Sequence, residues 1–342
     1  MLKMMSHTTK VALAVLALLL IAFPWLVNPY VVQTAMTTVN YSLLGLAFAF
    51  SMRVGLPRID IIAWWGIGGF TTALLINTGM SFWLAALTAG LITVILGGLV
   101  FSLVLPRGML VFFIFCMFCL LIAPNLMPFL GKVPFLRGSG GIVPAPAIGS
   151  FEFIIKRDLY YLGLFSLALT LLVYYLLYNS KIGRSWNAIG SSLKLARSVG
   201  VDVVKYRMAN VLIGNFFISL AGSYFVAYYR AATPLMLNFQ AGVLAMIYPF
   251  IGGLTHSLMG PILGAIIASF IPNYFQFAAE YQVIVTSVMV ILILMFLPQG
   301  ILGWVDQMVK PWFYRRQWYV RLSKWGVKEP PHIERSFSNR SW

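Results

Sequence analysis

Residues 61–106 read IIAWWGIGGFTTALLINTGMSFWLAALTAGLITVILGGLVFSLVLP, without a single Asp, Glu, Lys or Arg. A membrane-spanning helix needs about 20 consecutive apolar residues, so this stretch is long enough for two. Its middle holds Asn77, Thr78 and Gly79, residue types that favour a turn. The stretch therefore predicts two membrane helices folded back on one another.

The rest of the chain follows the same pattern. The charge-free runs 11–52 and 231–279 are each long enough for two helices as well, with turn-forming residues at 28–29 and near 256–257. The predicted spans are roughly 11–27, 31–52, 60–77, 82–105, 109–130, 159–179, 208–229, 238–255, 259–278 and 282–304. These spans predict an all-α polytopic membrane protein with about ten transmembrane helices. Before Gly260 two alternatives stay open, because a broken helix embedded in the membrane gives the same pattern as two full spans.

The composition supports this class and argues against others. Of the 342 residues, 61% are hydrophobic and only 9% are charged, whereas soluble domains carry about 25% charged residues. The formal net charge is +16, but a basic nucleic-acid groove needs a soluble domain, so we expect no nucleic-acid partner. Cys116 and Cys119 lie in an apolar run, where we interpret them as small buried hydrophobes and expect no metal site.

The distribution of basic residues predicts the orientation. With the N-terminus placed inside, nineteen of the 24 lysines and arginines fall in cytosolic segments. This asymmetry has the sign of the positive-inside rule and predicts that both termini are cytosolic. The segment 132–158 then becomes an outer loop, and 179–206 becomes a cytosolic loop.

The cytosolic loop 181–207 carries apolar residues at helical spacing, and Gly200 is a residue type that ends a helix. The predicted helix runs from Ser191 to Gly200. Its apolar face would hold Leu193, Ala196 and Val199. The basic Lys194 and Arg197 would flank that face. Two interpretations stay open: a helix that rests on the membrane surface, or a coupling helix that docks on an ATPase.

Five motifs then occur in a fixed order along the chain. They are GIGGFT at 66–71, GSGGIVP at 138–144, the Gly-Arg, Ala-Ile, Gly-Val and Lys-Tyr pairs of 183–206, IGGL and GPILG within 251–264, and LPQGILG at 297–303. Each resembles a motif of branched-chain amino acid ABC importer permeases, specifically of their M-type subunit. The resemblance covers residues 35–303.

This resemblance implies a type II-like ABC importer permease bundle in the inner (plasma) membrane of a bacterium. The implied partners are a second homologous permease subunit, two cytosolic ABC ATPase subunits, a periplasmic solute-binding protein and membrane lipid. The chain itself would bind no cofactor, and the partner subunits would use ATP. In agreement, its only Gly-Lys pair, Gly131 and Lys132, lacks the flanking residues of a phosphate-binding loop, so we expect no enzyme activity of its own.

The predicted domain organisation has three parts. Residues 1–30 form an N-terminal transmembrane helix that acts as a signal anchor. Residues 31–306 form the permease transmembrane domain with the coupling loop 181–207, and residues 307–342 form a basic cytosolic tail.

The sequence departs from the family where an S-x-G-H pattern is usual, since Arg58 and Asp60 occupy that segment. The solute therefore stays open between a branched-chain amino acid and another small polar solute such as urea or an amide. A stand-alone channel or carrier would need an intramembrane charged pair or a filter motif. A membrane-embedded enzyme would need clustered His, Asp or Glu, and Arg58 with Asp60 is the closest approximation.

Polar residues within the spans are candidates for the translocation pathway, although hydrogen bonding between helices is an equally open interpretation. Asn40 and Asn215 lie deepest in apolar runs, and Arg58 and Asp60 are further candidates. The other polar residues of the spans are Gln33, Thr37, Ser219, Asn238 and Gln240. Glycines are expected to let helices pack closely. These are Gly66, Gly68, Gly69, Gly252, Gly253, Gly260 and Gly264.

Overall fold

The computed structural model describes residues 20–130, 156–232, 237, 239–254, 258–270, 282–297 and 299–304. The helices among them are α1 Pro29–Met52, α2 Ile61–Asn77, α3 Phe82–Val104, α4 Met109–Leu130, α5 Lys156–Asn179, α6 Lys181–Ser191, α7 Leu193–Ser198, α8 Val203–Tyr229, α9 Phe239–Gly252, α10 Gly260–Ala265 and α11 Gln282–Phe296. A helical segment at 20–26 precedes α1. Residues 132–155 of the predicted outer loop (132–158) and the predicted basic tail (307–342) lie outside the described residues, while residues 156–158 begin α5.

Four described helices are long and apolar enough to cross a membrane: Pro29–Met52, Phe82–Arg107, Arg157–Asn179 and Val203–Tyr229. The third of these is the apolar part of α5, and the second is α3 with the 3-10 turn that follows it. The other apolar helices are shorter. The chain is therefore a helical membrane protein. Helices α1 to α5 and α8 begin and end within five residues of the predicted spans 31–52, 60–77, 82–105, 109–130, 159–179 and 208–229. Most of the first predicted span, 11–27, lies outside the described residues.

Helix α1 lies at the centre of the bundle, in contact with α5, α8, α9 and α10. In its apolar segment 83% of the residues are buried, against 39% in α3 and in α5. Helix α3 exposes a row of aliphatic side chains four residues apart, Leu91, Ile95 and Leu99. In a membrane such a row faces hydrocarbon, so α3 and α5 lie at the periphery.

Region 239–270 folds as a hairpin of α9 and α10, whose backbones touch. A Cβ at Gly252 would collide with the carbonyl of Gly260, and one at Gly264 would collide with the carbonyl of Tyr248. Helix α9 has 14 residues and α10 has 6, extended by the π turn Ile266–Phe270. Both lie within the spans predicted at 238–255 and 259–278, and the glycines let the two segments pack backbone to backbone.

Candidate functional site

The cytosolic loop holds two helices, whereas one was predicted. Ser192 adopts an extended backbone (φ −159°, ψ 114°) and ends α6 while it starts α7, whose Leu195 N–H it caps at 3.3 Å. The predicted helix from Ser191 to Gly200 is therefore divided, and Ser191 belongs to α6. The predicted end is confirmed, because Gly200 has φ +81°, a left-handed backbone that suits glycine.

Helix α7 and its flanks form an exposed surface, which we call the α7 tip: Leu193, Lys194, Leu195, Arg197 and Val199. All five side chains are exposed, including 64% of Leu195 and 69% of Val199. The sequence interpretation placed Ala196 on this apolar face, which is wrong. Ala196 is 1% exposed and packs into the bundle.

The helix that follows the tip begins at a capped residue. Asp202 precedes α8 and accepts a hydrogen bond from the backbone N–H of Lys205 at 3.2 Å. This bond lowers the pKa of the Asp202 carboxyl, and the Lys205 side chain, 3.1 Å away, lowers it further. The acidic group at this helix end is thus already paired, which leaves Lys194 and Arg197 as the exposed charges of the α7 tip.

Arg58 and Asp60 form an ion pair whose two side chains are fully buried. Arg58 donates from Nε to Oδ1 at 3.1 Å and from Nη2 to Oδ2 at 2.6 Å, while Trp64 Nε1 donates to the same Oδ2 at 2.6 Å. Arg58 Nη1 also reaches the carbonyl of Val211 in α8 at 3.4 Å. The pair joins the start of α2 to α8 and is closed to solvent, so it does not line an open passage in this conformation.

Asn40 and Asn215, the predicted pathway residues, also lie inside the bundle. Asn40 donates to the carbonyl of Ala221 at 2.8 Å and links α1 to α8. Asn215 is fully buried against Gly97, and neither of its amide atoms has a hydrogen-bond partner among the described residues. Ser219 lies against Gly68 and is buried too. Asn238 and the Gln240 side chain lie outside the described part of the chain.

A different set of polar residues faces outward from the centre of the bundle. We call Gln33, Thr37 and Tyr41 the α1 polar face, since they repeat every four residues along one side of α1. Gln33 is exposed and the other two are half-buried, while the residues between them are almost all buried. Tyr248 of α9 packs edge-on against Tyr41, with ring centroids 5.3 Å apart, and the Tyr228 hydroxyl of α8 pairs with Thr37.

The sequence named Gln33 and Thr37 among several polar residues but missed Tyr41, Tyr228 and Tyr248. For Tyr41, the available signal was its four-residue spacing from Thr37 along α1. Tyr228 and Tyr248 gave no such signal, since aromatic residues make up 15% of the chain.

The remaining predicted glycines lie at helix contacts. A Cβ at Gly66 would run into Leu237, and one at Gly222 of α8 would run into the backbone of Trp65 and Gly69. Gly253 has φ +106° and precedes the turn between α9 and α10. No group of three or more His, Cys, Asp or Glu side chains that could hold a metal ion occurs in the part of the chain that the structure describes.

Comparison with known families decides the class. A family model described as "Branched-chain amino acid transport system / permease component" matches residues 30–295. The chain belongs to this family. The match runs from α1 to α11, to within one residue at each end, and includes the α7 tip and the α1 polar face. The predicted resemblance to these permeases is confirmed.

Two kinds of relative within the family are similar to this chain. The high-affinity branched-chain amino acid transport system permease protein LivM of Salmonella typhimurium is 26% identical over 87% of this chain and 76% of its own length. LivM of Escherichia coli is 26% identical over 86% and 75%. The LivH permease of Escherichia coli is 29% identical over 40% of this chain and 43% of its own length. No solved structure matches this permease.

Proposed function

We propose that this chain is one permease subunit of an ATP-driven importer of branched-chain amino acids or closely related small solutes. It would reside in a bacterial inner membrane with about ten spans and both termini in the cytosol. A second homologous permease, two cytosolic ATPases and a periplasmic solute-binding protein would complete the transporter. ATP would be hydrolysed by the ATPase subunits alone.

The observation that carries the proposal is the α1 polar face. Helix α1 is buried on nearly all sides, and its one accessible side carries an amide and two hydroxyl groups. Polar groups on a membrane helix are costly to expose to hydrocarbon, so such a face belongs against water or a partner subunit. A passage shared with the second permease satisfies this requirement, and its other wall would come from that subunit.

The α7 tip supports the ATP-driven part of the proposal. Exposed Leu193, Leu195 and Val199 beside Lys194 and Arg197 form a small apolar patch with a basic rim. An apolar patch with a charged rim is the usual anatomy of a protein interface. We propose that it docks in an ATPase groove bordered by acidic residues, as a coupling helix does.

The first experiment tests the proposed transport function. The chain is co-expressed with its permease, ATPase and binding-protein partners, and ATP-dependent uptake of leucine, isoleucine, valine and urea is measured in reconstituted vesicles. Wild type is expected to accumulate the branched-chain amino acids. If none of these four solutes is taken up in an ATP-dependent way, the importer assignment is refuted.

Arg197→Glu tests the docking surface. Like charges facing each other at an interface cost several kcal/mol, so we expect the ATPase to co-purify poorly and solute-stimulated ATP hydrolysis to be lost. The matched control is Arg107→Glu, which reverses an exposed arginine in the 3-10 turn after α3, outside the cytosolic loop that holds the α7 tip. If Arg197→Glu and Leu193→Asp both retain the ATPase and transport at the control level, the tip does not dock.

A further inference from the structure

The end of α1 and the turn after it make contacts with three other helices at once. We call residues 50–54 the α1 joint. Phe50 stacks on Tyr174 of α5, with centroids 4.0 Å apart and planes at 10°. The same ring meets Trp186 of α6 at 5.0 Å and 81°. One buried side chain thus connects α1 to the last turns of α5 and to the middle of α6.

Helix α8 holds the joint through hydrogen bonds to its backbone. Asn210 Nδ2 donates to the carbonyl of Phe50 at 3.1 Å, and Arg207 Nε donates to the carbonyl of Val54 at 3.2 Å. The last carbonyls of a helix have no partner within the helix, and a cation there is favourable. Side chains of α8 therefore cap the end of α1, a few residues after the α7 tip.

Helix α6 touches the joint at its backbone. A Cβ on Gly190 would collide with the carbonyl of Arg53, so only glycine permits this approach. The Arg53 guanidinium in turn lies 4.1 Å from the ring centroid of Tyr178 in α5. Trp186 lies one turn before Gly190 on the same side of α6, and its Nε1–H donates to the Tyr206 carbonyl at 2.8 Å. Helix α6, the start of α8 and the joint are packed as one unit.

Helix α1, whose end lies in this unit, also carries the α1 polar face. Phe50 and Tyr41 are nine residues apart on α1, which at 1.5 Å per residue is about 14 Å along the helix axis. A continuous helix transmits a displacement at one end to the other, and a chain of packed contacts is what energetic coupling needs. Helix α7 itself contacts both α6 and α8. Contacts between helices therefore lead from α7 through α6 and α8 to the joint, and α1 leads from the joint to the polar face.

We propose that the α1 joint transfers the motion of the cytosolic loop to the passage, with Gly190 and Arg207 as its positioning residues. Neither residue touches the solute. They hold the end of α1 against α6 and α8, so that displacement of the α7 tip moves α1. This inference rests on the proposed function, and it concerns how much transport each hydrolysed ATP produces.

The decisive measurement is the ratio of leucine transported to ATP hydrolysed by the full transporter in vesicles. Arg207→Gln removes the bond to Val54, and Gly190→Ala pushes α6 off the Arg53 carbonyl. Coupling free energies between sites usually correspond to factors of 5 to 150, so each variant should lower the ratio by about fivefold or more. Each should still co-purify with the ATPase and keep its basal hydrolysis.

Two matched controls separate coupling from folding. Arg107→Gln removes an exposed arginine that bonds the carbonyl of Leu103, four residues earlier in the chain. Gly98→Ala adds a methyl group that meets Leu212 at an ordinary 3.6 Å. Both should keep the wild-type ratio.

A purely structural role would lower transport and hydrolysis together, and the ratio would stay at the control value. That outcome, or an unchanged ratio with full activity, would overturn the proposal. If wild type itself transports no solute, the proposed function fails instead. The wild-type measurement therefore distinguishes that failure from a failure of the coupling proposal.

Discussion

Arg58→Met is the substitution whose cost follows most directly from the geometry. The Arg58 and Asp60 side chains are both fully buried, and two hydrogen bonds of 3.1 and 2.6 Å join them in a fork. Without Arg58, the Asp60 carboxylate keeps neutral donors such as the Trp64 indole N–H. A charge taken out of water then has no counter-charge beside it.

The expected magnitude comes from this loss of compensation. Removing one partner of a buried ion pair typically costs about 3–5 kcal/mol of unfolding free energy, whereas an exposed pair contributes about 0–1 kcal/mol. Arg58→Lys should also be destabilising, because an ammonium cannot reproduce the two parallel bonds. The double variant Arg58→Met/Asp60→Leu should recover most of the loss, since apolar replacement of a buried pair is often neutral or stabilising.

The assay is equilibrium denaturation of the purified chain in detergent. The variants Arg58→Met, Asp60→Leu and Arg58→Met/Asp60→Leu form one thermodynamic cycle with the wild type. A single-variant loss below about 1 kcal/mol would refute the reasoning, because that is the value of a solvated pair. Transport by the stable double variant adds a second test. If the pair only joins α2 to α8, uptake is retained. If uptake is lost although stability is restored, the pair takes part in the passage.

Two further outcomes are expected. Gly264→Ala forces a methyl group against the Tyr248 carbonyl, so it should lower the unfolding free energy by about 1–3 kcal/mol and lower the yield of folded protein. The control Gly98→Ala should lower neither, and equal yields of the two variants would contradict the hairpin packing. For the orientation, a membrane-impermeant thiol reagent should label a cysteine placed at Ser139 in intact cells and spare one at Ser323, in a background without the native cysteines; the reverse labelling would overturn the topology.

Much of the fold was predictable because charges and turn residues interrupt the apolar runs. The break predicted at 77–79 is where α2 ends, and the next helix begins at Phe82. The stop predicted at Gly200 is also where the structure has a left-handed residue. Both features depend on local chemistry, namely the hydrogen bonding of turns and the conformational freedom of glycine.

Which side of each helix faces the interior was much less predictable. In a membrane protein both the lipid and the bundle interior are apolar, so periodicity does not distinguish them. Asn40 looked like a pathway residue because of its depth, but it bonds the Ala221 carbonyl of the neighbouring helix. Ala196 looked like part of the exposed face of α7, but it is buried. Both placements depend on tertiary contacts that no short pattern contains.

The chemistry of the α1 polar face fits the transport of a small zwitterion. Its groups are an amide and two hydroxyls, with further tyrosine hydroxyls from α8 and α9 beside them. Among the described residues of this face, none carries a charge. A fixed carboxylate or guanidinium in the passage would hold one end of a zwitterion strongly, while conduction requires binding weak enough to allow release. Neutral hydrogen-bonding groups can replace part of the hydration shell without that penalty. In the proposed importer, discrimination between solutes would then lie mainly in the solute-binding protein, and the α1 polar face would need only to let a released solute pass.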